Sequence, residues 1–240
     1  MVNFELISFA NAGELASRVA NFWLDEIKSA SLAGKMHCAA LSGGRITQKF
    51  FAATVEQAGL RKISFERVHF FWADERCVPP TDPESNFKLA DELLFSPLKI
   101  SENQIHRIHG EDSPEAAVKN AEAEIRQIAG SDGKKLPVLD LVFLGMGEDG
   151  HVASLFPNKT EGTVSTEIFC AVKNSPKPPP NRISLSYASI AAARLVWVLA
   201  SGTGKEAALS GSLSPAGKTP LARVIQSRAQ TKIFSDFQIS

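Results

Sequence analysis

The amino-acid sequence predicts an α/β fold, a mostly parallel sheet with helices on both faces. Three observations predict it. Short apolar runs alternate with longer segments of helical periodicity along the chain. The runs are apolar at consecutive positions, as in strands covered on both faces. Polar, glycine-rich or charged turns follow at 42–45, 74–77, 145–151 and 201–205, and a parallel sheet gathers such turns on one edge as a composite site.

The elements follow in order. Ala12 to Lys28 reads as an amphipathic helix with Leu15, Val19, Phe22, Trp23 and Ile27 on one side. Met36 to Leu41 is a short apolar strand, Ser42-Gly43-Gly44 turns, and Thr47 to Ala58 is helical. Val68 to Ala73 is a second buried strand, and Glu84 to Phe95 is a helix. Ser113-Pro114-Glu115 combines an N-cap serine, a proline at the first helical position and an early acid, starting a helix that runs to about Ala129. Val138 to Leu144 is the next strand, and Ile168 to Val172 and Arg182 to Tyr187 are extended. Leu195 to Ala200 is a strand, Gly202-Thr203-Gly204 a turn, and Lys205 to Leu209 a helix start. Pro220 to Gln226 is a short helix and Thr231 to Phe237 a final strand. Ser175 to Pro180 carries four prolines, a stiff extended loop too short to separate two domains. There is no internal repeat, so residues 1–240 read as one domain.

Composition narrows the function classes. Hydrophobic residues make up 44% and charged residues 22%, which excludes a disordered chain. Lys+Arg and Asp+Glu are both 26, and a net charge of zero argues against nucleic acid or an anionic membrane as partner. A local cationic pocket is compatible with that balance. Cys38, Cys77 and Cys170 form neither a disulfide framework nor a paired zinc motif. The amino-terminal segment from Met1 to Leu6 lacks the basic start and apolar core of a signal peptide, and no apolar run spans a bilayer. The expected compartment is the cytoplasm.

The chemistry concentrates in Gly145-Met146-Gly147-Glu148-Asp149-Gly150-His151, directly after the third buried strand. Its glycines allow a sharp turn and close approach to a ligand, and an imidazole there can exchange a proton near neutral pH. Asp149 stands two residues before His151 and can orient its ring. Gly145, Gly147 and Gly150 satisfy G-x-G-x-x-G, but a dinucleotide site needs a long helix after the third glycine, and Pro157 leaves room for two turns at most. Ser42-Gly43-Gly44-Arg45 leads from strand to helix and suits a phosphate, or equally an ordinary turn. Asp74-Glu75-Arg76 offers a guanidinium clamp with carboxylates to orient it or to accept sugar hydroxyls; the alternative is a local salt bridge. Arg182 and Lys205 can add positive charge to an anion site, though each alone reads as a solvated surface residue. His69 reads as a satisfied core residue, and His106 and His109 lack a third metal ligand.

Four blocks together resemble the 6-phosphogluconolactonase family. They are Ser42-Gly43-Gly44-Arg45-Ile46-Thr47, Phe71 to Pro79 with Ser85-Asn86, Leu144 to Pro157, and Pro178 to Leu185 with Gly202-Thr203-Gly204-Lys205 behind it. They span most of the chain in the family's order, and the third is highly specific. One departure is Arg45, where many members have serine, and Ile46-Thr47 replaces the common Thr-Pro ending. The resemblance implies a fold like that of ribose-5-phosphate isomerase and glucosamine-6-phosphate deaminase. It implies hydrolysis of 6-phospho-D-glucono-1,5-lactone to 6-phosphogluconate in the pentose phosphate pathway, with no metal or nucleotide cofactor. It assigns His151 as general base, Asp149 as its holder, and Ser42, Gly43, Gly44, Arg45, Asp74, Arg76, Arg182 and Lys205 as substrate-binding residues. The expected partner is the sugar-phosphate lactone alone, with the chain a monomer or weak homodimer. Two rivals share the scaffold. A glucosamine-6-phosphate-type deaminase expects Phe-Asn-Glu-Pro where this chain has Ser154-Leu155-Phe156-Pro157, and a sugar-phosphate sensor would bind without turnover.

Overall fold

The computed structural model describes residues 3–130, 136–164 and 166–239, so Met1 and Val2 of the amino-terminal segment lie outside the described residues. The chain runs β1 (Phe4–Ser8), α1 (Ala12–Leu32), β2 (His37–Leu41), α2 (Arg45–Arg61), β3 (Val68–Trp72) and β4 (Asp74–Arg76). Then come α3 (Asn86–Ala90), a π-helical turn (Asp91–Phe95), α4 (Ser96–Leu98), a 3-10 turn (Glu102–Gln104) and α5 (Pro114–Ala129). The second half holds β5 (Leu141–Gly145), β6 (Phe169–Val172), β7 (Arg182–Leu185), α6 (Tyr187–Ala192), β8 (Leu195–Ala200), α7 (Glu206–Leu213), α8 (Pro220–Gln226) and β9 (Thr231–Ser235).

Six strands form a fully parallel sheet in the order β1-β9-β8-β5-β2-β3. From β2 the chain moves outward to β3, then returns to the other side of β2 and continues through β5, β8 and β9. The strand order therefore reverses between β2 and β5, and the crevice at their carboxyl ends is where open α/β sheets receive ligands. Right-handed crossovers put α1 and α2 on one face and the helices after β5 on the other. In agreement, α1 packs on α2, and α8 packs on both α6 and α7.

The helices form where local signals agree. Asn11 accepts from the amides of Gly13 and Glu14, capping α1, whose buried stripe of Leu15, Val19, Trp23 and Ile27 follows helical spacing. Trp23 sits at the centre of an aromatic cluster with Phe50, Phe65, Phe70 and Phe143. Burying each such side chain contributes about 1.5–3 kcal/mol. Ser113 caps α5 with Pro114 in its first turn, and Ala117, Ala121 and Ile125 bury at four-residue intervals.

Several expectations need correction. The segment 74–77 is not a turn: Asp74–Arg76 is a strand of a second, antiparallel sheet in the order β4-β7-β6. The extended reading of Arg182 to Tyr187 ends early, because Ser186 accepts from the Ser189 amide and caps α6. The helix expected from Glu84 begins at Asn86 and changes to a π turn at Asp91. The strand expected from Val138 begins at Leu141, because the Asp140 side chain accepts from the Cys38 amide at 2.8 Å. The edge strand β1, parallel to β9, had no periodic signal in five residues.

Candidate active site

Three of the four turns meet as foreseen, and the alternation of β4 supplies the rest. A cavity of about 270 Å³ opens over the carboxyl ends of β2 and β5. Ser42, Gly43, Gly44, Arg45, Asp74, Arg76, His151, Arg182 and Lys205 all line it. Asp149 is not on its wall but stands behind the His151 ring.

The histidine is fixed by its own loop. The Gly147 amide donates to the His151 carbonyl at 2.9 Å, and Gly150 turns the chain at φ +77°. No side chain fits at Gly147, since a Cβ there would lie 2.0 Å from the His151 ring. His151 Nδ1 lies 2.5 Å from Asp149 Oδ1. That contact makes Nδ1 the donor and leaves Nε2 with a free lone pair. Burial lowers the His151 pKa, and the Asp149 hydrogen bond and charge oppose this only in part. Burial pushes the Asp149 carboxyl up, but its bonds and charge interaction with His151 outweigh that, and its pKa falls. No long helix follows Gly150, in line with the rejection of a dinucleotide site.

One wall, rich in cationic side chains, comes from β2 and α2. Ser42 Oγ donates to the Phe143 carbonyl at 2.8 Å, tying the end of β2 to β5. Gly44 is the N-cap of α2 at φ +113°, with no side chain over the first amides. Those amides and the helix dipole face the cavity as an uncapped positive end. Arg45 and Lys49, one turn apart on α2, line the same wall. Lys205 reaches it from the turn after β8; burial and the Arg45 charge lower its pKa. The Arg45, Lys49 and Lys205 side chains have no hydrogen-bond or ion-pair partner among the described residues.

The opposite wall is built by the small sheet. In β4 the side chains alternate, so Asp74 and Arg76 face the cavity while Glu75 faces away. Asp74 Oδ2 accepts from Ser154 Oγ at 2.6 Å. Arg76 Nη1 donates to the Glu84 carbonyl at 2.6 Å, and its buried Nε has no partner among the described residues. Glu75 therefore accepts no sugar hydroxyl. It is 2% exposed, and burial raises its carboxyl to about 7 against three backbone N–H donors.

Arg182 differs most from expectation. It is 5% exposed, and its guanidinium donates to the carbonyls of Lys177, Pro178 and Pro179 and to Ser154 Oγ. These bonds occupy four of its five N–H groups, so it is not the solvated surface residue that it reads as alone. The arginine holds the proline loop, whose Pro178–Pro179 peptide is cis. Its centre lies 5.7 Å from the Phe156 ring, which packs on His151 at 4.7 Å.

Sequence reasoning missed Lys49 and Asp236. Lys49 was findable, being one helical turn from Arg45. Asp236 accepts from Ser201 Oγ at 2.6 Å and the Gly202 amide at 3.1 Å, fixing the Lys205 turn from the end of β9. Nothing near Asp236 in sequence signals that contact. His69 and His106 pair with each other, and His106 with Glu124, away from the cavity. Burial pushes the Cys77 thiol up to about 11, away from reactivity.

The chain matches a family model described as glucosamine-6-phosphate isomerases/6-phosphogluconolactonase over residues 10–234. It is 37% identical over 163 residues to the 6-phosphogluconolactonase of Mycobacterium tuberculosis, an aligned stretch covering 66% of each chain. Among solved structures it resembles the 6-phosphogluconolactonase of Trypanosoma brucei, with a TM-score of 0.85 at 25% identity, covering 98% of this chain and 97% of that one. A monomeric glucosamine-6-phosphate deaminase shares the fold at 16% identity, with a TM-score of 0.80 over 97% of this chain and 96% of the other. The chain is an enzyme of the glucosamine-6-phosphate isomerase/6-phosphogluconolactonase family.

Proposed function

We propose that the chain hydrolyses 6-phospho-D-glucono-1,5-lactone to 6-phosphogluconate, the second step of the oxidative pentose phosphate pathway, by histidine-assisted attack of water. The observation that carries the reading is His151, held through Nδ1 by Asp149 with Nε2 free, on one cavity with an unpaired cationic wall. The names of the curated relatives point to the same lactone.

The phosphate, a dianion at neutral pH, is met by the α2 amides after Gly43 and Gly44 and by Arg45 and Lys205. His151 Nε2 takes a proton from water as the oxygen adds to the lactone carbonyl carbon. The tetrahedral oxyanion meets the positive field of Arg76 and Arg182. The bond from that carbon to the ring oxygen then breaks, and the imidazolium returns its proton to the leaving ring oxygen. The new carboxyl group ionises to the product carboxylate. Asp74, held by Ser154, is placed to accept a sugar hydroxyl.

General-base assistance supplies about 10²–10⁴ in rate. His151→Ala should therefore lose turnover by that factor while its thermal unfolding stays near that of the wild type. Near-normal turnover in this variant would remove His151 from the role. Tight binding of 6-phosphogluconate by a wild type that does not hydrolyse the lactone would replace the hydrolase with a sugar-phosphate sensor.

A further inference from the structure

Glu75 lies outside the cavity, yet its surroundings are unusually complete. Oε1 accepts from the amides of Arg76 at 2.7 Å and Asn86 at 2.8 Å. Oε2 accepts from the Phe87 amide at 2.8 Å and Ser85 Oγ at 3.2 Å. One buried carboxylate thus ties β4 to the first residues of α3, ten and more positions along the chain. Among the described residues no cation pairs with it; its hydrogen-bonding contacts are all donors.

The residue it fixes, Asn86, is 4% exposed and reaches back toward the cavity wall. Asn86 Nδ2 donates to the Asp74 carbonyl at 2.8 Å. Its amide also fills the space beside Gly43: a Cβ on Gly43 would lie 1.9 Å from Asn86 Oδ1 and 2.7 Å from Cγ. Gly43 is not among the glycines in the left-handed region, so what forbids a side chain there is Asn86 rather than the backbone. Asn86 therefore presses on the glycine turn from behind, while Glu75 holds both Asn86 and the amide of Arg76.

We infer that Glu75 and Asn86 are positioning residues that set the distance between the two walls of the cavity: the Gly43 turn on one side and Asp74 and Arg76 on the other. They touch no substrate. Their effect is on ligand binding rather than on the His151 chemistry, because the histidine belongs to a separate loop after β5. The inference rests on the lactonase reading above for its kinetic readout.

The test is a double-mutant cycle on Gly43→Ala and Asn86→Ala, with Glu75→Gln beside it. Each variant is followed by KM and kcat for the lactone, by calorimetric affinity for 6-phosphogluconate, and by thermal unfolding. Gly43→Ala should raise KM and the product Kd by about tenfold or more, with kcat changed by less than about threefold. Adding Asn86→Ala should recover part of that loss, because it empties the space that the new methyl needs. Glu75→Gln keeps the shape but turns an amide NH2 toward donors, and should weaken product binding without moving the pH profile of kcat. Multiplying effects of Gly43→Ala and Asn86→Ala, or a loss in kcat with KM unchanged, would overturn the inference. If Glu75→Gln does not fold, the cycle alone decides. Failure of the lactonase reading is distinguishable, since it shows as absence of wild-type turnover whereas the product Kd still reads the coupling.

Discussion

His151 offers one nitrogen to the cavity, and its neighbours decide how basic that nitrogen is. Burial lowers its pKa and Asp149 raises it, so the acid limb of kcat/KM should lie below the ordinary imidazole value of roughly 6.5. Asp149→Asn keeps an acceptor for Nδ1 but removes the charge. The limb should then move further toward acid, and the plateau should fall by about 10–100-fold in a pH–rate profile. A limb that moved toward alkali would contradict the pairing. Lys205 gives a second pH signature. Burial and the Arg45 charge lower its pKa, so its ammonium is lost at lower pH than that of an ordinary lysine. Affinity for 6-phosphogluconate should weaken toward alkaline pH, and Lys205→Arg, which stays charged, should flatten that decline in calorimetric titrations from about pH 7 to about pH 10. Most of these residues were legible in the sequence because glycines, charges and a histidine stood directly after apolar runs. The role of Arg182 was not, because its carbonyl partners depend on how the proline loop folds back.

Elements show the same division. Strands and helices with strong local signals, such as Leu195–Ala200 and Pro220–Gln226, lie where periodicity and capping put them. Those that failed depend on distant partners. Asp74–Arg76 becomes a strand by pairing with β7, and α3 starts at Asn86 where the Glu75 carboxylate meets its first amides. The His151 loop is an element that only glycine permits. Gly147→Ala would place a methyl 2.0 Å from the ring, so the ring must rotate away from Asp149. That variant should lose kcat by at least about tenfold with product affinity retained. Equal losses in both would show that the loop also shapes the cationic wall.

At the scale of the whole molecule, the parallel sheet separates stability from chemistry. The turns that line the cavity lie at its carboxyl edge, while Arg228 organises the opposite edge. Its guanidinium donates to the carbonyls of Ile190, Ala191, Ala193, Arg194 and Gln230, tying the segment before β8 to the segment before β9. Arg228→Ala leaves these carbonyls without that donor and should destabilise by on the order of 3 kcal/mol in denaturant unfolding, with KM of the remaining folded enzyme unchanged. The alternation of strands and helices made the architecture legible from sequence. The strand order, and hence the crevice between β2 and β5, comes from long-range pairing that no local pattern encodes. Lactone hydrolysis with His151 as base is checked by generating 6-phosphogluconolactone from glucose 6-phosphate and following its disappearance above the spontaneous rate, with wild type and His151→Ala side by side. Acceleration by the wild type and its collapse in a folded variant is the expected result. No acceleration by the folded wild type would contradict the account.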